Sequence, residues 1–500
     1  MTTSPTLDAS SFSEARTNFE ALVQDLQSGP TVKMTHDAVE GVIASRGREI
    51  LRQLLQGHLE CRSALECRES MVGSDGELRS HQRQCERQLT SVFGDVEVTR
   101  TELRARGVSG GLRPLDAELN LPPDLYSFGL HRLIAWFAAN EAYDAVVDSL
   151  TQCTGLRLGK RQVEEAAIRS TADFDSFYAG TDEPKAKSTS VLVLSFDGKG
   201  VVMRPESLRP GTRKAAKRKN HLEHRLSPGE KNGRKRMAEV ATVYELEAVA
   251  RTAADIMSEL DGEGKGRPKA FNKRVWASLE KDQGEVVADA FHEAEGRDLE
   301  HERRWVVLVD GNAHQLRCVK AEARRIGVEP TLILDIIHVI EYLWKAAWCI
   351  HAKGDPAAEQ WVRARVQRLL EGDVSGVAAG IRRSATKRKL SDAERSAMDI
   401  CANYLLKYKA MLRYDRYLAQ GMPIATGVIE GACRHLVQDR MDITGARWGL
   451  DGAEAVLKLR ALRSSGDFEA YWDYHLSQEQ KRNHLFNFAN HELPHLRAVA

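Results

Sequence analysis

Apolar and polar positions alternate in three distinct ways along the chain, and each predicts a different kind of element. From Thr35 the apolar residues Val39, Val42, Ile43, Ile50, Leu51, Leu54 and Leu55 recur at helical spacing, with Thr35 as N-cap, which predicts a helix to about Cys67. Leu89–Phe93 and Val96–Arg100 read as two strands joined at Gly94-Asp95, a Gly-first hairpin loop. Tyr126–Leu150 and a stretch from about Lys160 to Phe177 read as helices parted by Thr154-Gly155, which is helix-turn-helix grammar shared with ordinary helical hairpins.

A polar linker at 181–189 marks a boundary, and beyond it the pattern changes. Val191–Phe196 is a nearly continuous apolar run, as expected of a buried strand, and it leads into Asp197-Gly198. Ala241–Tyr244 suggests another strand. Trp305–Val309 leads into Asp310-Gly311, Asn312–Ile326 can form a helix, and Thr331–Leu334 leads into Asp335. Strand, helix, strand in that order predicts a parallel pair. Residues 338–421 read as almost wholly helical, with Tyr404, Tyr408 and Met411 as a core stripe. After Gly421, Pro423 and Gly427, a last helix carries Ile429, Cys433, Leu436, Val437 and Met441 on one face and Glu430, Arg434 and Gln438 on the other.

Composition narrows the classes. The chain has 500 residues, 42% hydrophobic and 29% charged, enough for about three domains with real cores. Its longest apolar run is the seven residues Leu133–Ala139, short of the ~18 needed to cross a bilayer. The polar amino terminus lacks the order of a signal peptide, so a cytoplasmic, nucleoid-associated protein with no membrane partner is expected. Eight cysteines without CxxC spacing read as reduced thiols rather than a zinc site.

Net charge is +1, but its distribution is uneven. Arg204–Arg236 holds twelve Lys/Arg against three Asp/Glu, a local +9, leaving about −8 for the rest. Such a block is the electrostatic footprint of a nucleic-acid binder, though a solvated loop has the same composition.

The candidate chemistry lies at the strand ends. A carboxylate there is held by a rigid strand, and a following Gly admits a close approach. Asp197 and Asp310 occupy such positions, and Glu430 leads the polar face of a helix able to close over them. An Asp-Gly pair after a strand is also a common turn, and Glu430 with Arg434 at i, i+4 is also a helical salt bridge. Three acids in one cleft call for hard divalent cations, and two ions about 3.5–4 Å apart serve phosphodiester cleavage and strand transfer.

From about residue 85 onward the chain resembles the DDE transposases of bacterial insertion sequences, specifically the Kra-type family, and more distantly the Mutator-like group. The resemblance rests on Phe93-Gly94-Asp95-Val96-Glu97-Val98, Pro114-Leu115-Asp116-Ala117-Glu118-Leu119, Gly427-Val428-Ile429-Glu430-Gly431-Ala432-Cys433-Arg434, Asp439-Arg440-Met441 and Gly445-Ala446-Arg447-Trp448, joined to the two Asp-Gly pairs. It implies a mixed, helix-rich α/β fold. An RNase H-like catalytic core would carry a large all-helical insertion and follow a helical and β-hairpin DNA-binding region.

The corresponding divisions are an N-terminal helical region at 1–80, a DNA-binding domain at 81–180, the first part of the core at 186–344, the insertion at 345–424, the last part of the core at 425–465 and a tail at 466–500. Asp197, Asp310 and Glu430 would ligate two Mg²⁺ ions, with Mn²⁺ as a substitute. Asp335 with His338 looks like the Cys/Asp-x-x-His signature of the Mutator-like relatives, and Asp335 is the alternative second acid.

Lys199, Arg213, Lys214, Lys217, Arg218, Lys219, Arg234, Lys235, Arg236, Arg434, Arg440 and Trp448 are the expected DNA contacts, Trp448 by stacking on a displaced base or else as a buried structural residue. The implied partners are transposon inverted repeats and target DNA, bound by at least a homodimer. An inactive DNA-binding descendant and a nuclease without joining activity are the alternatives.

Overall fold

The computed structural model describes residues 9–180, 190–218, 234–260, 268–443 and 445–493. The chain divides into two compact units, residues 179–466 and residues 1–178 together with 467–500.

The 179–466 unit is a mixed α/β structure built on five strands: β1 (Val191–Val202), β2 (Lys235–Leu246), β3 (Phe271–Ser278), β4 (Trp305–Val309) and β5 (Thr331–Leu334). Their spatial order is β3-β2-β1-β4-β5. β1, β2 and β3 pair antiparallel, whereas β4 runs parallel to both β1 and β5. The parallel strands are buried on both faces, so they read as unbroken apolar runs. The expected parallel pairing of Trp305–Val309 with Thr331–Leu334 is found.

β1 differs from expectation in length. It does not stop at Asp197 but runs on to Val202, because β2 continues to pair with it through Asp197↔Val240 and Gly198↔Glu239. Pairing with β4 ends at Ser195↔Leu308, so Asp197 lies just past the parallel ladder.

Helices α1 (Gln283–Arg297), opened by an Asp282–Glu285 capping box, and α2 (Ala313–Ile326), capped by Asn312, pack together, with α1 against β1 and β2. After β5 come α3 (Ile336–Ala347), α4 (Pro356–Leu370), α5 (Val374–Lys387) and α6 (Asp392–Lys407), the predicted helical stretch. α7 (Gly427–Ala432) continues through a π-helical turn at Cys433–Gln438 and a short turn at Asp439–Met441. α8 (Leu450–Ser465) packs on β3, where buried Glu454 accepts the Ser278 hydroxyl and the Leu279 N–H, both at 2.7 Å.

In the other unit the long helix is His36–Ala64, and the Thr35 hydroxyl accepts the Ala38 N–H at its start. The hairpin is longer than predicted, His81–Ser91 against Gly94–Arg104, and its loop is Val92-Phe93 rather than Gly94-Asp95. Ser91 closes that loop, its hydroxyl donating to Gly94 O and accepting from Phe93 N. Tyr126–Leu150 is two helices, Phe128–Ala138 and Tyr143–Thr154, the second ending on left-handed Gly155 before Lys160–Arg169. The 466–500 stretch contributes the helix Phe468–Asn483 to this unit. No helix among the described residues is long and apolar enough to cross a membrane.

Candidate active site

Strand register brings three aspartates to one level of the sheet. Ser195 of β1 is paired with Leu308 of β4; Asp197 stands two residues further along β1, and Asp310 is the first residue past the end of β4. Val309 of β4 is paired with Leu334 of β5, and the next residues are Asp310 and Asp335. The Asp335 N–H donates to Val309 O at 2.8 Å, which carries the register past the strand ends. Side chains alternate across a strand, so Asp197 and Lys199 share one face and Gly198 the other. The face of Asp197 is the one covered by α7 and its π turn, because the Cys433 thiol donates to Asp197 Oδ2 at 3.2 Å.

The aspartates have different surroundings. Asp335 is fully buried, and both of its oxygens are engaged. Oδ1 accepts the N–H groups of Ile337 and Thr426, and Oδ2 accepts the Thr426 hydroxyl at 2.6 Å and bonds His338 Nδ1 at 2.8 Å. It caps α3 and ties it to the segment entering α7. Asp310 is half-buried, and Oδ1 accepts the Asn312 N–H. Asp197 is half-buried, with Oδ1 accepting its neighbour's Gly198 N–H.

Glu430 lies on the exposed face of α7. Partial desolvation pushes its carboxyl upward, and the charges of Asp335 and Asp197 add to the shift while His338 opposes it. His338 itself is raised to about 9, first by its bond to Asp335 and further by the charges of Asp335 and Asp310. Glu430 therefore feels Asp197 and Asp335, and His338 feels Asp310 and Asp335. The cluster is acidic, its donors are carboxylate oxygens, and Asp335 is the one acid already saturated with hydrogen bonds. That donor set suits a hard divalent cation.

The helical stretch holds the strand ends in place, which the sequence did not reveal. Tyr404 of α6 and Tyr408 at its C-cap, read as core, donate their hydroxyls to the carbonyls of Asp310 and Gly311 at 2.7 and 2.5 Å. Tyr414 does the same to Leu334 O at 2.7 Å. Tyr342 stacks on Tyr404 at 4.1 Å between ring centroids. The rings press so closely that a Cβ at Gly311, where φ is +90°, would sit 3.0 Å from Tyr408 and 3.2 Å from Tyr404. Gly311→Ala is expected to cost about 1–3 kcal/mol in chemical unfolding and to lower any activity of the site by displacing Asp310. Wild-type stability together with full activity would show that the clamp is not needed.

The expected DNA contacts divide by exposure. Arg213, Lys214 and Lys217 project from the helix Pro210–Arg218, and Arg234, Lys235 and Arg434 are exposed. Lys199 is half-buried beside Cys433, whose thiol it partly compensates. Arg218 lies at the end of that helix, and Lys219 lies outside the described residues. Arg236 is instead a tie within the unit, donating to Leu279 O at 2.7 Å and Ser207 O at 3.0 Å.

Arg440 and Trp448 do not offer the surface expected of them, being 2% and 7% exposed. The indole donates to Met441 O at 3.0 Å, the Arg440 guanidinium lies 4.7 Å from the ring centroid, and the Trp448 backbone bridges Met203. Of the two readings of Trp448, the structural one fits this burial.

A separate buried cluster in the other unit was not read from the sequence. Asp173, His475 and Glu479 offer ligand atoms all within 4.8 Å of one another and could hold a metal ion. His475 Nδ1 is 2.7 Å from Asp173 Oδ2, and Arg482 donates to both carboxylates, at 2.8 Å to Asp173 and 2.6 Å to Glu479. Arg482 already balances much of their charge, so a cation there would have to displace it. The acids are about 300 residues apart in sequence, which hides their meeting.

The chain matches no model of a known protein family, and no curated protein matches it.

Proposed function

We propose that this protein is a DNA transposase of an insertion sequence, with Asp197, Asp310 and Glu430 as the acids of a DDE-type active site. The observation that carries the reading is the common level of Asp197 and Asp310 on adjacent parallel strands, with the Glu430 helix docked on the Asp197 face. The order β3-β2-β1-β4-β5, with helices 336–419 between the last strand and the Glu430 helix, supports an RNase H-like core carrying a helical insertion.

Two Mg²⁺ ions bound by these carboxylates would supply an activated water or 3′-hydroxyl and steady the leaving oxygen. The chain's own part is positioning. β1 and β4 hold Asp197 and Asp310, Tyr404 and Tyr408 fix the end of β4, and Asp335 orients His338 beside the cleft. Glu430 stands on the helix that the Cys433–Asp197 bond ties to the sheet. The basic helix at 210–218 would track the DNA backbone with its exposed cations, Arg213, Lys214 and Lys217. Terminal inverted repeats would be read by the amino-terminal part, about residues 30–180. Holding two ends together requires at least a dimer on DNA.

The test is a strand-transfer assay with labelled transposon ends, target DNA and Mg²⁺. Joined product is the expected result. Cleavage without joining would leave a nuclease, and binding without cleavage an inactive descendant. Binding should weaken steeply with salt. Replacing Arg213, Lys214 and Lys217 together by Gln should make the log–log salt slope shallower by about 0.9 for each phosphate these cations neutralise. An unchanged slope would remove this helix from the DNA interface.

A further inference from the structure

We infer that the 1–178/467–500 unit contains a binding pocket for a phosphate group, separate from the acidic cluster. The pocket is a polar cavity of about 420 Å³ lined in part by Arg87, Arg100, Arg113, Asp116 and His484. It gives a role to the Pro114–Leu119 motif, which the acidic site does not use.

Three guanidinium groups face one lining carboxylate. Asp116 is 5% exposed, and Arg100 Nε lies 3.0 Å from its Oδ1. That contact is a charge pair without hydrogen-bond geometry: among the described residues neither Arg100 Nε nor Asp116 Oδ1 has a hydrogen-bond partner. Arg100 is 9% exposed, and among the described residues its Nη1 has no hydrogen-bond partner either. A buried guanidinium nitrogen without an acceptor is costly, and an oxyanion relieves it with a charge-assisted bond. Arg113 stands at the rim, its side chain 41% exposed, and bonds Glu102, which Arg104 also holds at 2.6 Å. Arg87 is anchored by the carbonyls of Pro122 and Asp124, so its charge is fixed at the wall. His484 Nε2 bonds Leu121 O at 2.7 Å, and burial pushes the imidazole's pKa down, which favours its neutral form and leaves the arginines as the cationic wall.

A planar fork that meets two oxygens at once is the usual partner of phosphate, and here three arginines line one polar space. A DNA backbone phosphodiester and a free phosphate ester present the same oxygens, and the test separates them. The inference stands whether or not the acidic cluster cuts DNA.

Inorganic phosphate would be titrated calorimetrically into the full chain at low ionic strength, with chloride as the control anion. Saturable one-to-one binding is expected, weakened at least tenfold by Arg113→Gln and by Arg100→Lys. Arg113→Gln leaves Glu102 paired with Arg104, so it removes a cavity charge without orphaning a carboxylate, and circular dichroism would check its fold. In a second arm a random-sequence duplex of about 20 base pairs replaces phosphate. Loss of duplex affinity in Arg113→Gln, together with competition by phosphate, supports the site and assigns its ligand to the DNA backbone. Phosphate binding with duplex affinity unchanged supports the site and assigns it to a small phosphate ester. No saturable phosphate binding, equal heats with chloride, or binding untouched by both variants overturns the proposal.

Discussion

Asp310→Asn is expected to abolish Mg²⁺-dependent cleavage by about three orders of magnitude, some 4 kcal/mol of barrier, while leaving unfolding and DNA binding near wild type. Asp197→Asn and Glu430→Gln should behave alike. Asp335→Asn should fail differently. Four hydrogen bonds converge on the two Asp335 oxygens, from Ile337 N, Thr426 N, the Thr426 hydroxyl and His338. An amide puts an N–H₂ where one of those donors now points, so it leaves a buried group unsatisfied at a cost of about 1–3 kcal/mol for each bond broken. A carboxylate with no open lone pair is poorly placed to take a metal, whereas Asp310 is half-buried and keeps Oδ2 at the strand end. Equilibrium unfolding beside single-turnover cleavage separates the two failures. If Asp310→Asn cleaves normally and Asp335→Asn is inactive at wild-type stability, Asp335 is the second acid and Asp310 is not.

How much of this could be read in advance depended on how local each signal was. The strands Trp305–Val309 and Thr331–Leu334 were legible because both faces are buried, which forces unbroken apolar runs. Their parallel sense followed from the helix between them. Phe271–Ser278 was missed because its first half, Phe271-Asn272-Lys273-Arg274, is largely exposed and polar at the sheet edge. The length of β1 was missed because Asp197-Gly198-Lys199-Gly200 reads as a turn, and only pairing with β2 keeps it extended. Within the site, Asp197 and Asp310 were flagged by their strand ends, but their common level is a property of register between strands more than a hundred residues apart. Tyr404 and Tyr408 carried the right periodicity, and Tyr408 is buried as a core stripe predicts. A stripe shows that a face is covered, not that its hydroxyls reach a strand end. The Cys433–Asp197 bond joins residues 236 apart, so no local pattern carries it.

The largest stability loss is expected at the opposite end of β1, where Glu245→Ala should cost about 3–5 kcal/mol. Glu245 is 2% exposed and pairs across the sheet near the first residues of β1. Its Oε2 accepts the Ser190 hydroxyl at 2.8 Å and Arg303 Nη2 at 2.6 Å, while Oε1 accepts Asn272 Nδ2 at 3.2 Å and lies 3.9 Å from Arg297 Nη1. The Arg303 and Arg297 side chains are 5% and 4% exposed, so the variant strips a carboxylate from guanidinium groups that water cannot reach. Burial pushes the Glu245 carboxyl up, but the bonds from Ser190, Asn272 and Arg303 outweigh it and hold the group below its ordinary value. A depressed carboxylate contributes stability that is fully present above the unfolded pKa, near 4.5, and is lost as pH falls through the folded one. Denaturant unfolding at pH 7 and at pH 4 should therefore show a large gap between wild type and Glu245→Ala at pH 7 that narrows in acid. Glu245→Leu with Arg303→Met should recover part of the loss, because removing both charges also removes their desolvation cost. An unchanged midpoint for Glu245→Ala at pH 7 would mean that the pair only breaks even, and that β1 is held in place by its apolar contacts alone.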